Sequence, residues 1–412
     1  MKITSLAPIY IESEIELILN PNFINQSRQS SFHNISIEFL SSLSKRILEK
    51  TDRKLFPELV ALAYWLRKSN ILKIINDFKS RISEEVIIVP RGLAFHVAPS
   101  NVDSIFLYSW ALSLLSGNIN IVRVTQKLNV QLELLLGIIR ELMNENIFVT
   151  IAERNIIVTY PRDNEINSFI SSQADLRILW GGDETIKNIK TLNSKLNSKD
   201  ISFADKISCT AINSAKYLQS EIGLKLNLAK HFYNDSYWFD QMACSSPRFI
   251  FFIGTPLQCE NASKEFWKNL GSQLMQKGHA DPSNLAMEKL IYLYEALITS
   301  EKIVIEEELN IEKPTVAKIE LNEVPQYTET CGGGFFFESF INNLNDLTSI
   351  ISGKNQTLTY YGFDKVELKQ LILRINGLGI DRIVPIGQAL NFNVIWDGYD
   401  LLSEMTKRIN LL

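Results

Sequence analysis

Cys244 lies in the stretch WFDQMACSSPRFIFF, between a segment of polar and aromatic residues and a run of apolar residues. A cysteine thiolate is a strong nucleophile. If a helix or a tight turn begins at CSSP, its backbone N–H groups would stabilise the thiolate and donate to an oxyanion. The alternative is a small buried hydrophobic residue ahead of a core strand. Local sequence leaves both interpretations open.

Three further stretches combine residue types that could support such a nucleophile. Asn101 in APSNVDS lies between a predicted strand and a predicted helix, where its amide either caps the helix or donates to a substrate oxygen. Gly181 and Gly182, followed by Asp183 in WGGDE, either bring a phosphate close to a helix N-terminus or form a plain turn. The run Gly332–Gly334 in ETCGGGFFFESF predicts a tight loop or a close ligand contact, because glycine costs conformational entropy elsewhere.

Histidine and cysteine spacing offers no metal site. The four cysteines contain no C-x-x-C pair and do not cluster with the four histidines, so we expect four thiols and no bound metal. His96 falls on a predicted strand and is expected to be a core residue rather than a base. The remaining histidines have no evident partner in the sequence.

Strands that alternate with helices must position these stretches. From Glu85 onward the apolar pattern alternates between strands and helices, which predicts parallel, doubly wound sheets that bind ligands at the carboxyl ends of their strands. We expect a helical N-terminal region over 1–84 and a cofactor-binding domain over 85–214. An α/β domain carrying the cysteine is expected over 215–390, with a C-terminal segment over 391–412.

Three local features of this pattern are specific enough to test. Thr125 is predicted to cap the helix over QKLNVQLELLLGIIRELMN. A single long helix is predicted to start near Ala215 and to run through KYLQSEIGLKLNLAKHFYN. A further helix is predicted over NNLNDLTSII.

Composition excludes several classes of protein. The chain has 412 residues, a net charge of −4, 46% hydrophobic and 21% charged residues, so no basic field points to nucleic acid. The apolar stretch IFLYSWALSLL is shorter than the roughly 20 residues of a bilayer span, so no membrane insertion is expected. The first residues are acidic where a secretory signal needs an apolar core, and we therefore expect a cytoplasmic protein.

The four stretches occur in the order and spacing of the aldehyde dehydrogenase superfamily. The closer resemblance is to its acyl-CoA reductase branch, the LuxC-like fatty-acyl reductases of bacterial bioluminescence. It rests on VPRGLAFHVAPSNVDSI, ILWGGDE, WFDQMACSSPR and GIDRIVPIGQALNFNVIWDGYDLL, and covers about Pro90 to Tyr399. The resemblance implies an aldehyde dehydrogenase-like α/β fold with a cofactor-binding and a catalytic domain.

The resemblance also implies roles for individual residues. Cys244 takes the place of the family nucleophile, and Asn101 that of the asparagine that shares the oxyanion hole with the N–H of the cysteine. Arg123 stands where the superfamily has a lysine facing the adenosine ribose, and a guanidinium there favours the 2′-phosphate of NADPH. The GGDE stretch matches the helix start near the cofactor pyrophosphate. Glu329 matches a glutamate that binds the nicotinamide ribose, although Gly333 replaces the proline of that motif.

One departure from the superfamily bears on the reaction. Oxidising members carry a glutamate that activates water, and the corresponding stretch here, ISFADKISCTAIN, has none. We therefore expect NADPH-dependent reduction of a fatty acyl-CoA, or another acyl thioester, to the aldehyde through a thioester on the cysteine. The alternative is an acyl-binding or acyl-transfer subunit of the same fold without reductase activity. Both a homo-oligomer and an acyl-activating partner enzyme are compatible with the resemblance.

Overall fold

The computed structural model describes residues 1–52, 55–99, 102, 104–279, 283–299, 315–318 and 330–411. They form two compact units, of which unit 1 combines Met1–Ala204 with Phe392–Leu412 and unit 2 spans Asp205–Asn391. The first boundary between the units therefore precedes the predicted one after residue 214. The predicted N-terminal region and all but the first residue of the predicted C-terminal segment belong to unit 1.

The strands are numbered in chain order. They are β1 (Lys2–Ala7), β2 (Ile11–Glu14), β3 (Val86–Pro90), β4 (Leu93–Val97), β5 (Ile119–Arg123), β6 (Asn155–Thr159), β7 (Leu176–Trp180), β8 (Lys199–Phe203), β9 (Ile207–Asn213), β10 (Pro247–Ile253), β11 (Thr315–Lys318), β12 (Phe335–Ile341), β13 (Asn355–Tyr361), β14 (Arg382–Pro385), β15 (Ile395–Trp396), β16 (Tyr399–Asp400) and β17 (Thr406–Asn410).

The α-helices are numbered in the same way. They are α1 (Ile15–Ile18), α2 (Pro21–Ile24), α3 (Asn34–Lys50), α4 (Pro57–Trp65), α5 (Lys68–Lys79), α6 (Ile105–Leu115), α7 (Val130–Met143), α8 (Val149–Ala152), α9 (Asn164–Gln173), α10 (Asp183–Lys190), α11 (Ser214–Gln219), α12 (Ile222–Tyr237), α13 (Pro256–Lys277), α14 (Ser283–Thr299), α15 (Lys365–Ile375) and α16 (Leu401–Glu404). Short 3₁₀ helices cover Asn146–Phe148 and Leu344–Ser349.

Unit 1 is built on a seven-stranded sheet with the order β2-β1-β6-β5-β4-β7-β8. Strands β4 to β8 are parallel, as predicted, whereas β1 and β2 extend the β6 edge in antiparallel fashion. The helical prediction for the first residues is wrong at this point. The short MKITSLA stretch becomes a strand because it completes the edge of a sheet whose other strands lie far along the chain.

The core of unit 1 is centred on α6. Nearly all of its residues are buried, because the IFLYSWALSLL stretch is apolar all round and the N-terminal helices cover it. Phe39 of α3 packs edge-on against Trp110 of α6, with ring centroids 5.9 Å apart. Within the described ranges, no helix has the length and apolar composition needed to cross a membrane.

Unit 2 is built on a six-stranded parallel sheet with the order β11-β12-β10-β9-β13-β14. All seven residues of β10 are buried, which is typical of a central parallel strand covered on both faces. The alternation of strands and helices predicted for this half of the chain is confirmed. The result is a mixed α/β architecture with one mainly parallel and one fully parallel sheet.

Three local predictions need correction. The cap of α7 is Asn129, whose Oδ1 accepts from Leu132 N at 2.8 Å, whereas Thr125 Oγ1 accepts from Lys127 N in a turn before the helix. The long helix predicted from Ala215 is divided into α11 and α12, because Ser220 takes an extended conformation at ψ 148°. The NNLNDLTSII stretch forms a 3₁₀ helix rather than an α-helix.

Candidate active site

Two candidate stretches meet at the carboxyl edge of the unit 1 sheet. Val97 at the end of β4 is level with Arg123 of β5 on one side and with Leu179 of β7 on the other. The strand order reverses between β4 and β7, since the chain continues from β4 to β5 and β6 in one direction and from β7 to β8 in the other. Doubly wound sheets bind ligands at such a reversal. Asn101 follows β4 but lies outside the described residues.

The GGDE stretch joins β7 to α10 at this reversal. Gly181 has a φ of +151°, which disfavours residues with a side chain, and Gly182 is the N-cap of α10. A glycine N-cap supplies no side-chain oxygen to the first N–H groups of the helix. Asp183 begins the helix. The strand–glycine–helix arrangement is therefore confirmed, while its contact with a cofactor pyrophosphate stays a prediction.

Arg123 lies at the same edge, with its guanidinium carbon 4.9 Å from the ring centroid of Tyr160. Its Nε is buried, and no acceptor lies within hydrogen-bond distance among the described residues. The same holds for Nε1 of Trp180, the residue before Gly181, whose ring stacks on Phe203 at 3.8 Å. Buried donors without acceptors are costly unless a ligand satisfies them. Arg123 packs against Tyr160 on one face of the sheet and Trp180 lies in the core on the other face, so the two donors do not share one site.

Cys244 lies in a tight turn between α12 and β10. Ser246 N donates to Ala243 O at 2.9 Å and closes the turn, and the chain then enters β10 directly. Of the two geometries considered for CSSP, the tight turn is present and the helix start is not. The Cys244 side chain is partly buried. Ser246 Oγ donates to Asp235 O at 2.7 Å and ties the turn to α12.

The cysteine turn and the triple glycine both lie at the amino edge of the unit 2 sheet. Cys244 precedes β10 and Gly334 precedes β12, and these two strands are parallel neighbours. The candidate stretches of unit 1 follow their strands, as expected for a doubly wound sheet. In unit 2 the candidate nucleophile comes before its strand.

The triple glycine packs against the cysteine turn. A Cβ on Gly334 would lie 2.1 Å from Tyr237 Oη, and one on Gly332 would lie 2.5 Å from Asp240 O. Gly333 N donates to Asp240 O at 2.8 Å. The close approach predicted for these glycines is thus made to the protein itself, in a tight loop. Glu329, just upstream, lies outside the described residues.

Gln241 joins the two segments. Its Nε2 donates to Pro247 O and to Phe335 O, both at 2.9 Å, and its Oε1 accepts from Gly334 N at 3.1 Å and from Phe335 N at 3.0 Å. The residue is fully buried and has a φ of +62°. A non-glycine residue in this conformation is strained, and such strain persists where surrounding contacts fix it. Sequence reasoning missed Gln241, because its partners are remote in the chain.

Arg248 places a positive charge beside the cysteine turn. It is 8% exposed and is the extra residue of a β-bulge, since Pro247 pairs with Ser208 and Phe249 with Cys209. Bulges re-aim side chains and are frequent next to active sites. The guanidinium interacts electrostatically with the Cys244 thiolate, and such attraction favours the thiolate form. The arginine can be recognised in the sequence CSSPR, whereas the bulge is seen only in the strand pairing.

The other cysteines are less suited to nucleophilic chemistry. Burial raises the pKa of the Cys209 and Cys331 thiols to about 12 and also raises the pKa of the Cys259 thiol. A thiol of high pKa contains little thiolate at neutral pH. All four cysteines are thiols, as predicted. Cys244 is therefore the strongest candidate nucleophile among them.

His96 is a core residue, as predicted. It is 1% exposed, and its ring nitrogens contact Ser109 Oγ at 3.3 Å and Asn120 Oδ1 at 3.0 Å. Burial lowers the pKa of His96 to about 4. No group of three or more potential metal-ligating side chains occurs in the described part of the chain.

Residues 67–408 match the family model described as Acyl-CoA reductase (LuxC). A search of curated protein sequences found no significant match. The family match spans all four candidate stretches, including those that contain Asn101 and Glu329.

Solved structures of similar fold include aldehyde dehydrogenases. A substrate-bound Staphylococcus aureus AldH has a TM-score of 0.62 and 13% identity, with 95% of this chain and 92% of that chain covered. An NAD-dependent benzaldehyde dehydrogenase from Corynebacterium glutamicum has a TM-score of 0.62 and 12% identity, with 99% and 94% covered. Proline utilization A from Bradyrhizobium japonicum has a TM-score of 0.65 and 13% identity, with 95% and 44% covered. These similarities show an aldehyde dehydrogenase-like fold.

Proposed function

The chain belongs to the LuxC acyl-CoA reductase family, and from this premise we propose that it reduces a fatty acyl-CoA to the aldehyde, with Cys244 as acyl carrier and NADPH as reductant. The observation that carries the proposal is the setting of Cys244. This thiol is partly exposed, lies in a turn fixed by hydrogen bonds and is subject to the positive charge of Arg248. We place the enzyme in the cytoplasm.

In the first step the Cys244 thiolate attacks the carbonyl carbon of the acyl thioester. A new C–S bond forms, and negative charge moves to the carbonyl oxygen. For this oxyanion we propose two donors, the N–H of Cys244 and, from the family resemblance, the side-chain amide of Asn101. The tetrahedral intermediate collapses with loss of CoA thiolate, which is a good leaving group and needs no strong acid. Cys244 then carries the acyl group as a thioester.

The second step reduces this thioester. The nicotinamide cofactor supplies a hydride when it is bound. Hydride addition to the thioester carbonyl would leave a tetrahedral alkoxide on Cys244, which re-forms its C=O bond, breaks the C–S bond and releases the aldehyde and the Cys244 thiolate. The positive charge of Arg248 favours this leaving thiolate as it favoured the attacking one.

Hydrolysis of the thioester must be slow for reduction to succeed. The stretch ISFADKISCTAIN, which the superfamily resemblance aligns with the water-activating glutamate, forms parts of β8 and β9. Its one carboxylate, Asp205, acts electrostatically on the Arg248 guanidinium. The stretch contains no glutamate. We therefore assign no water activation to this stretch.

For the cofactor we propose the carboxyl edge of the unit 1 sheet. Arg123 ends β5 at this edge, and its guanidinium suits the 2′-phosphate of NADPH, because guanidinium binds phosphate oxygens in pairs. The N-terminus of α10, entered through Gly181 and Gly182, fits the pyrophosphate. The resemblance places Asp183 near the pyrophosphate and lets Glu329 bond the nicotinamide ribose, and we propose both contacts here.

The test is NADPH consumption by the purified protein with acyl-CoAs of graded chain length, with the product identified by mass spectrometry. We expect aldehyde formation that depends on Cys244. Asn101→Ala should remain folded and lose about 10²–10³ in rate, the usual effect of losing one oxyanion donor. Acylation without any NADPH binding would instead favour an acyl-transfer subunit. Attachment of labelled acyl groups to Cys244→Ala would refute the assignment of Cys244 as the acyl carrier.

A further inference from the structure

Ser208 of β9 lies between two irregular strand pairings. On the β10 side, Arg248 is an extra residue opposite Ser208 and Cys209. On the β13 side, Asn355 pairs with Ile207 and Leu358 with Cys209, so that β13 also carries one extra residue opposite Ser208. Bulges are rare in parallel sheets and re-aim side chains where they occur. Two bulges flank this one serine.

The hydroxyl of Ser208 links the β13 bulge to the cysteine turn. It accepts from Thr357 N of β13 at 3.1 Å and donates to the carbonyl oxygen of Cys244 at 2.6 Å. Ser208 has no exposed surface, so water does not compete for these bonds. The single hydroxyl proton is directed to the backbone of the candidate nucleophile.

The bond to Cys244 O limits the orientation of the nucleophile. It fixes the plane of the peptide that follows Cys244, while the bond from Ser246 N to Ala243 O closes the turn around it. Because the backbone is held on both sides, the direction of the Cα–Cβ bond of Cys244 is nearly fixed. We propose that Ser208 is a positioning residue that holds the Cys244 thiol in its attacking orientation. This inference rests on the proposed function, and Ser208 itself does not contact substrate.

Thr210 provides a matched control on the same strand. It lies two residues along β9 and therefore on the same face, and it is also fully buried. Its hydroxyl bonds the hydroxyl of Thr359 on β13 at 2.6 Å rather than the cysteine turn. Thr210→Val removes a buried hydroxyl with little change in shape. It therefore reports the general cost of such a loss in this sheet.

The experiment compares Ser208→Ala with Thr210→Val in the full chain. Cys244 acylation by acyl-CoA is followed in a single turnover without cofactor, together with the KM for acyl-CoA and the Tm. We expect Ser208→Ala to slow acylation by about tenfold to a hundredfold, the usual effect of a displacement near 1 Å, with KM changed less than about twofold. Thr210→Val should acylate at the wild-type rate despite a comparable fall in Tm. Ser208→Thr, which keeps the hydroxyl, should acylate close to the wild-type rate.

Two results would overturn the inference. The first is wild-type acylation by Ser208→Ala, and the second is an equal loss in Thr210→Val. Alkylation of Cys244 by iodoacetamide separates this test from the proposed function, because it needs no acyl substrate. If the wild type forms no acyl-enzyme, the proposed function fails. A change of several-fold in the alkylation rate of Ser208→Ala alone would then still support positioning, and an unchanged rate would refute it.

Discussion

Replacement of Gln241 by leucine should loosen the cysteine turn. The side-chain amide makes four hydrogen bonds of 2.9 to 3.1 Å, three to the start of β12 and one to Pro247 O at the start of β10. Leucine has a similar length but can make none of these bonds. The buried N–H and C=O groups on both segments therefore lose a partner.

The size of this effect follows from the number of bonds. Each buried hydrogen bond contributes about 1 kcal/mol net, so Gln241→Leu should lower the free energy of unfolding by roughly 4 kcal/mol. Domains are typically stable by only about 5–15 kcal/mol. The variant should fold but should open locally far more often than the wild type.

Hydrogen exchange measured by mass spectrometry is the direct assay, because Gln241 protects the amides of Gly334 and Phe335. We expect the peptide spanning these residues to exchange at least about tenfold faster in Gln241→Leu, since 1.4 kcal/mol corresponds to a factor of ten. Cys244 acylation should slow in parallel.

Asp240→Gly is the control for backbone strain. Asp240 is exposed and shares the positive φ of Gln241, at 48° compared with 62°, but its side chain takes no part in the four-bond link. Glycine should relieve strain there and leave exchange of the β12 peptide unchanged or slower. Wild-type exchange in Gln241→Leu, or equal effects of both substitutions, would refute the reasoning.

Three further predictions concern charged residues. Arg248→Met should shift the pH profile of Cys244 alkylation to higher pH, whereas Arg248→Lys should keep most of the wild-type profile; identical profiles for all three proteins would exclude electrostatic activation. Arg123→Ala should raise the KM for NADPH by about tenfold or more and that for NADH much less; equal changes would exclude a 2′-phosphate contact. Burial raises the pKa of Asp235 from 3.8 to about 7, so its contribution to the free energy of unfolding is full below about pH 4 and is lost as the pH rises toward 7, by up to roughly 4 kcal/mol. The free energy of unfolding measured in urea should fall between pH 4 and pH 8 in the wild type and should not show this fall in Asp235→Asn. Parallel pH dependences of the two proteins would contradict the prediction.

The elements that local periodicity specifies were predictable from the sequence. Most parallel strands of both sheets read as short apolar runs, and the helices between them carry apolar residues at helical spacing. The apolar pattern did not identify β8, β9 or β11. The cysteine turn and the strand–glycine–helix junction were found for the same reason. Each of them lies where a segment with strand periodicity meets a segment with helix periodicity.

Features that depend on remote partners were not predictable. Strands β1 and β2 form because β6 offers an open edge, and Asn129 replaces Thr125 as a cap because α7 begins later than its apolar pattern suggests. Gln241 and Ser208 are ordinary polar residues in the sequence. Their importance comes from bonds to residues 94 and 36 positions away.

The central claim is that Cys244 carries the acyl group, and it can be tested by mass spectrometry of the protein after incubation with acyl-CoA alone. The account predicts a mass increase of one acyl group, located on the peptide that contains Cys244. Addition of NADPH should remove the group as aldehyde rather than as fatty acid. An adduct on Cys209, Cys259 or Cys331, or release as fatty acid at the same rate with and without NADPH, would contradict the account.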